Sequence, residues 1–170
     1  MATDEDLIRA LAGGDERALE ELYRRYERPL YRFLHRHTGG RDVEDLHQET
    51  WIRVVRFAGR FDPDRRFSTW LFQIAVNLSR DLHRRTTPER AVSPPPASAD
   101  GSTRATEARI DAEALLRALP EPQREAVILR YYHDFSEEEA ARILGCPRGT
   151  VKSRLHHAIR RLMELLGKEP

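Results

Sequence analysis

Residues 135–162 read FSEEEAARILGCPRGTVKSRLHHAIRRL. Ser136 with Glu139 three places on has the spacing of a capping box, and Gly145 can take the left-handed backbone that ends a helix. Two helices are therefore predicted, Glu137 to Leu144 and Pro147 to Leu166, joined by a tight turn. Small Ala140 and Ala141 let them cross closely, and Val151, Leu155, Ala158 and Leu162 recur at helical spacing as one inward stripe. Cap, turn and stripe together make a helix-turn-helix pattern. The opposite face begins with Arg148 and Thr150 and continues through Lys152, Ser153, His156 and His157, which puts hydrogen-bond donors where a major-groove reader needs them. Arg154, Arg160 and Arg161 would lie nearer phosphates. A good bidentate base contact discriminates by about 1–3 kcal/mol, so such a face selects a short element with modest specificity. The bland alternative is a helical hairpin with an ordinary solvated face.

Working outward, helices are predicted over Glu107 to Ala118 and Pro122 to Tyr132, with Pro122 suited to a first turn. Ahead of them, Thr86 to Thr106 mixes Pro88, Pro94, Pro95 and Pro96 with Ser, Ala, Thr and Gly, and reads as a linker. Before the linker, four more helical segments are marked: Asp4 to Ala12, Glu16 to His37, Asp42 to Ala58 and Ser68 to Arg85. Strand-like alternation is hard to find, and no internal repeat is visible. The expected fold is all-α: two small helical domains, 1–85 and 107–170, joined by a flexible linker over 86–106. The second is a helix-turn-helix unit, winged-helix-like but without strands.

At 170 residues, 39% hydrophobic and 34% charged, the chain can bury one modest core or two small ones, which excludes a large enzyme fold. Basic and acidic residues nearly cancel, 29 against 28, so nucleic-acid binding would have to come from local clustering. Met1 to Gly13 lacks a basic flank followed by an apolar core, and no stretch approaches the roughly 18 apolar residues of a membrane span. A soluble, cytoplasmic protein without membrane insertion is expected. The single cysteine, Cys146, rules out an intramolecular disulfide and argues against a thiolate zinc site. Arginine used almost to the exclusion of lysine hints at a GC-rich genome.

Two stretches of the first half carry candidate chemistry. In DVEDLHQETWIRVVRFAGRF, residues 42–61, Asp42, Asp45 and Glu49 fall at i, i+3 and i+7 with Gln48 alongside, while Val43, Leu46 and Trp51 turn elsewhere. This is either an acidic protein-docking stripe or a solvated face paired with Arg53 and Arg56. In FDPDRRFSTWLFQIAVNLSRDLHRR, residues 61–85, a Pro-containing loop feeds a helix with the inward stripe Leu71, Ile74, Ala75, Leu78 and Leu82. Gln73, Asn77, Arg80 and Arg84 form its polar stripe at i, i+4, i+7 and i+11. A loop flanked by Phe61 and Phe67 and followed by amides and guanidiniums suits single-stranded nucleic acid, with pockets for bases and arginines along the backbone. Core packing is the commoner role for Trp70 and Phe72.

DVEDLHQETW (42–51), FSTWLFQIAVN (67–77) and GTVKSRL (149–155), in this order, closely resemble the extracytoplasmic-function (ECF) sigma factors of the sigma-70 family. The resemblance covers roughly residues 5–85 and 107–166, leaving only the linker unmatched. It implies that Asp42, Asp45, Gln48 and Glu49 dock on the β′ clamp helices of RNA polymerase core. It implies further that the loop Phe61, Asp62, Arg65, Arg66, Phe67 receives a flipped base of the minus-ten element. Gln73 and Asn77 would help to read that element, and Arg80, Arg84 and Arg85 would hold its backbone. Arg148, Thr150, Lys152, Ser153, Arg154, His156, His157 and Arg160 would read the minus-thirty-five element, and the same domain would touch the β flap. An anti-sigma factor is a further partner that the resemblance allows; no cofactor, metal or catalysis is expected. Trp51 stands where the family often has phenylalanine, and His156 and His157 replace bulky or basic residues, so the promoter sequence is not readable from this helix.

Two other functions compete. A stand-alone helix-turn-helix regulator would explain the second half but not the first. A metal-dependent hydrolase using Asp42, Asp45, Glu49 and His47 is disfavoured because His47 lies two residues from Asp45 and Glu49, on a different part of the helix circumference. No H-E-x-x-H motif or phosphate-cradling glycine loop occurs.

Overall fold

Local capping chemistry sets most of the element boundaries. The computed structural model describes residues 2–86 and 111–167, and all regular structure among them is helical. Helix α1 (Asp4–Ala12) opens on a capping box, in which Thr3 Oγ1 accepts from the Asp6 N–H and the Asp6 carboxylate accepts from the Thr3 N–H. Helix α2 (Glu16–Thr38) starts at Asp15, whose carboxylate accepts from the Arg17 N–H, and stops at Gly39, left-handed with φ of 67°. Helix α3 (Val43–Phe57) runs into a single 3-10 turn at Ala58–Arg60, and α4 (Phe67–Thr86) follows the Pro63 loop.

The second half contains α5 (Ala112–Arg117), α6 (Glu121–Val127) extended by a π-turn over Ile128–Tyr132, α7 (Glu137–Leu144) and α8 (Arg148–Leu165). Pro122 sits in the first turn of α6, where its missing N–H costs nothing. The α7 capping box is complete: Glu139 N–H donates to Ser136 Oγ at 3.1 Å, and Ser136 N–H to Glu139 Oε2 at 2.9 Å. Gly145 closes α7 at φ of 66°, its N–H bonded to Ala141 O. The linker expected over 86–106 and the first residues of the segment expected from Glu107 lie, apart from Thr86, outside the described residues. No helix among the described residues is long and apolar enough to cross a membrane.

Helices α1 to α4 bury Ile8, Leu22, Leu30, Leu34, Val54 and Leu71, while α6 to α8 bury Ala126, Ile128, Leu129, Ala140, Val151 and Ala158. These two cores are continuous. Phe72 of α4 stacks edge-on against Phe33 of α2 at 5.2 Å and against Phe135, ahead of α7, at 5.0 Å, with the His133 ring 5.1 Å away. Burying a ring of this size is worth about 1.5–3 kcal/mol, so the seam between the halves contributes real stability. Phe72 is thus core, as its residue type suggests, but the core it joins is shared by both domains. Helix α4 lies between α3 on one side and α7 on the other.

Candidate nucleic-acid interface

The first candidate face is on α3. Val43, Leu46, Thr50, Trp51 and Val54 point inward, leaving Asp42, Asp45 and Gln48 in solvent. Asp42 is the residue just before the helix, held at a left-handed φ of 53° with no capping bond from its carboxylate. Glu49 is half-buried and pairs with Arg53 at 3.1 Å, an i, i+4 pair of the solvated-face kind. The same outward strip continues through Ile52 and Val55, which are 42% and 48% exposed. Sequence reading missed these two, although Gln48, Ile52 and Val55 follow one another at i+4 and i+3. His47 turns away from this strip: it is buried beside Tyr23 and Trp51, with Nε2 3.3 Å from Glu27 O. Burial holds its imidazole below the usual value. It therefore cannot join Asp45 and Glu49 around an ion.

The loop before α4 is more closed than its sequence suggests. Phe67, expected as a flank of a base pocket, is fully buried, with its N–H bonded to Glu5 Oε1 at 2.9 Å and its ring against Tyr26. Its first position on α4 points it into the core, so it anchors the loop rather than lining a pocket. Phe61 is half-buried against Trp70 at 5.3 Å. Asp62 accepts from the Asp64 N–H, and Arg65 is exposed. Arg66 is exposed but pairs across the domain seam with Glu139 at 2.5 Å.

The polar stripe of α4 divides in two. Asn77, Arg84 and Arg85 are exposed, with Arg84 paired to Asp81. Gln73 and Arg80 face the second domain. Gln73 Nε2 donates to Arg142 O at 3.3 Å. Arg80 donates from Nε to Glu125 Oε1 at 2.9 Å, from Nη2 to Glu125 Oε2 at 2.5 Å, and from Nη1 to Leu144 O at 3.2 Å. Glu125, on α6, is 1% exposed and also meets His37 Nε2 of α2 at 2.9 Å. Burial alone would raise its carboxyl, but the hydrogen bonds from His37 and Arg80 outweigh that and hold it down at about 2. His37, Glu121 and Glu125 bring possible ligand atoms within 4.8 Å of one another, yet Arg80 already neutralises the buried carboxylate. Sequence reading passed over Glu125. The available signal was a carboxylate on the same side of α6 as Ile128 and Leu129, an apolar position where a charge needs a partner.

The third face is on α8. Arg148, Lys152, Ser153, His156, His157 and Arg160 are exposed along one side, opposite buried Val151, Leu155 and Ala158. Arg148 pairs with Glu137 at 3.1 Å, and Thr150 is half-buried in the first turn. Arg154 is half-buried, with Nη1 3.8 Å from Cys146 Sγ, and Arg161 donates to Ala118 O at 3.2 Å, so neither stands fully free along the groove-facing side. The other described residues leave this face uncovered: α8 packs through its other side on α6 and α7.

Known proteins resemble both halves. A family model described as Sigma-70 region 2 matches residues 22–89, and one described as Sigma-70, region 4 matches residues 109–162. The chain is 38% identical over 172 residues to the ECF RNA polymerase sigma factor SigM of Mycobacterium tuberculosis, spanning 97% of this chain and 85% of that one. It is 32% identical over 172 residues to the ECF RNA polymerase sigma-E factor of Escherichia coli, spanning 92% and 90%. Among solved structures, CnrH in complex with the cytosolic domain of CnrY matches with a TM-score of 0.75 at 29% identity, over 96% of this chain and 97% of that one. The sigma factor RpoE of Bartonella quintana, in complex with the anti-sigma factor NepR, matches with a TM-score of 0.69 at 30% identity, over 87% and 96%.

Proposed function

Because the chain belongs to the sigma-70 family of RNA polymerase sigma factors, in its extracytoplasmic-function group, we propose that its three faces divide the work of promoter recognition among three partners. The protein is an ECF sigma factor: it binds core polymerase, recognises minus-ten and minus-thirty-five elements and promotes melting. In our reading, residues 1–85 dock and melt, 86–106 bridge, and 107–170 read upstream duplex. Asp42, Asp45, Gln48 and Glu49 meet the β′ clamp helices, and exposed Ile52 and Val55 extend that contact with apolar area. The Phe61 to Arg66 loop with Gln73, Asn77, Arg80, Arg84 and Arg85 takes the non-template strand. The outer side of α8 reads the minus-thirty-five element, and its domain also meets the β flap. An anti-sigma factor, of the kind bound to RpoE, is a further partner.

No bond chemistry is asked of this chain, which acts as a binding factor and not an enzyme, in the cytoplasm beside polymerase. Unstacking a base costs a few kcal/mol, and each base captured by stacking and pocket contacts returns about 1–3 kcal/mol, so binding drives melting. About 20 linker residues reach at most roughly 70 Å, comparable with about 20 base pairs at 3.4 Å each, so one chain can span two promoter elements. The observation that carries the reading is the order in a single chain of an outward acidic helix, a loop-fed helix of amides and guanidiniums, and an exposed basic recognition helix. Run-off transcription with core polymerase tests it: the wild type should initiate, and Asp45→Arg should lose initiation by losing core binding in a pull-down. A stand-alone regulator would instead footprint its operator without polymerase.

A further inference from the structure

A helix begins with N–H groups that have no partner inside it, and the residue just ahead of the first turn commonly supplies one from a side-chain oxygen. Helix α4 begins at Phe67, and the residue ahead of it is Arg66, whose carbonyl accepts from the Trp70 N–H at 3.2 Å. A guanidinium carries no acceptor, so Arg66 cannot cap the helix with its side chain. The acceptor comes from the start of the chain instead: Glu5 Oε1, on α1 and 62 residues away, takes the Phe67 N–H at 2.9 Å. A carboxylate also suits the positive end of a helix. Glu5 keeps this place because its neighbour is clamped. Asp4 accepts from the Tyr26 hydroxyl and from Arg25 Nη1, and Arg25 Nε is bonded in turn to Glu21 at 2.9 Å. Ile8, fully buried, fastens the next turn of α1 to the core.

Helix α1 also packs on the 3-10 turn Ala58–Arg60. It therefore touches the chain on both sides of the loop from Phe61 to Arg66, at the turn that leads in and at the Phe67 amide that leads out. Within the loop, the Asp64 and Arg65 N–H groups bond back to Asp62. Resting on the reading of this loop as the receiver of a minus-ten base, we infer that Glu5 is a positioning residue for promoter opening: as the borrowed cap of α4, it makes α1 a brace that holds the loop in its base-receiving shape. A loop that holds the competent shape for only a fraction of the time binds with its affinity reduced by that fraction. Borrowing the cap from α1 also lets the residue ahead of the helix be an arginine, where a local cap would require Ser, Thr, Asp or Asn.

Glu5→Ala in the full chain removes the acceptor, whereas Glu5→Gln keeps an acceptor oxygen and loses only the charge. Exchange of the Phe67 amide proton, followed by NMR, should quicken by about fivefold in Glu5→Ala, the factor that one lost cap is worth. With holoenzyme formed at saturating sigma, open complexes at a promoter that the wild type opens should form about fivefold more slowly, while core binding in a pull-down stays unchanged. Glu5→Gln should restore both rates. Asp15→Ala removes the cap of α2, in the same domain but at the far end of α1, and should open the promoter at the wild-type rate. Equal slowing by Asp15→Ala would reduce the effect to general stability and overturn the brace. So would an unchanged Phe67 amide, normal opening despite faster exchange, or failure of Glu5→Gln to rescue. Arg65→Ala tests the loop by itself. If it opens promoters normally, the reading of the loop is wrong and the brace falls with it; if it slows opening and Glu5→Ala does not, only the brace fails. Should Glu5→Ala lose helicity by circular dichroism, Glu5→Leu, which keeps aliphatic bulk and has no acceptor, takes its place.

Discussion

Helices α4 and α8 have the same design and opposite circumstances. Each puts an apolar stripe into the core and a polar stripe on the other side, amides and guanidiniums on α4 and cations, imidazoles and a hydroxyl on α8. On α8 the polar side faces water along its length. On α4 its middle part, Gln73 and Arg80, is bonded to the second domain, and only Asn77 and the last turn stay exposed. A polar stripe therefore marks a surface that can bind, while what packs against it decides whether it is free to do so. Among the described residues the outer side of α8 is open, while the middle of the α4 stripe is engaged by the second domain.

The largest expected effect comes from breaking the seam that makes the two helices differ. Phe72→Ala removes a ring packed between Phe33 and Phe135 and should destabilise the chain by roughly 3–5 kcal/mol in urea unfolding. If the halves are one cooperative unit, both should unfold in a single, earlier transition. Loss limited to the second domain would show that they fold separately.

Next in size is the contrast in DNA binding. Lys152→Ala with His156→Ala should weaken upstream-element binding by about 1–3 kcal/mol for each side chain that no longer reaches a base edge, in the free chain and in holoenzyme alike. Arg80→Ala should leave the free chain's duplex binding unchanged and slow open-complex formation by holoenzyme. Equal effects of both variants in the free chain would erase the distinction between the readers. Ser136→Ala tests the element that carries α7 onto α4: losing the capping box should cost about 1 kcal/mol in thermal unfolding without moving polymerase binding.

The smallest effect near neutral pH concerns His133, whose ring lies in the seam against Phe33 and Phe72. Burial, reinforced by Arg36 and Arg32 of α2 and opposed by Asp134, pushes its imidazole from 6.5 down to about 4. The folded chain thus prefers the neutral ring. That stability is complete above about pH 6.5 and drains away as pH falls toward 4. Glu125, held at about 2 against an ordinary 4.5, adds its own loss only in the more acidic window below 4.5. Stability measured from pH 6.5 to 4.5 should fall in the wild type and fall less steeply in His133→Phe, where buried His47, also held below its usual value, still contributes its share.

Much of this was legible locally. The Ser136–Glu139 box, the Gly145 stop, the stripe Val151, Leu155, Ala158, and the inward set on α4 are all written in residues a few places apart. So were the charge-bearing positions of α3 and α8. Phe67 was misread because a loop-flanking aromatic and a buried first-turn aromatic share the same sequence context, and only packing against Tyr26 and Phe61 separates them.

By itself the sequence determined eight helices, which side of each is apolar, and the three chemically distinct faces, because helical period and capping act over one or two turns. Only the tertiary structure decided which polar faces are open. Arg80 and Glu125 stand 45 residues apart and Gln73 and Arg142 stand 69 apart, so no local pattern pairs them. Their meeting depends on how the apolar seam between the halves packs, and that packing engages Gln73 and Arg80 while leaving the outer side of α8 exposed among the described residues.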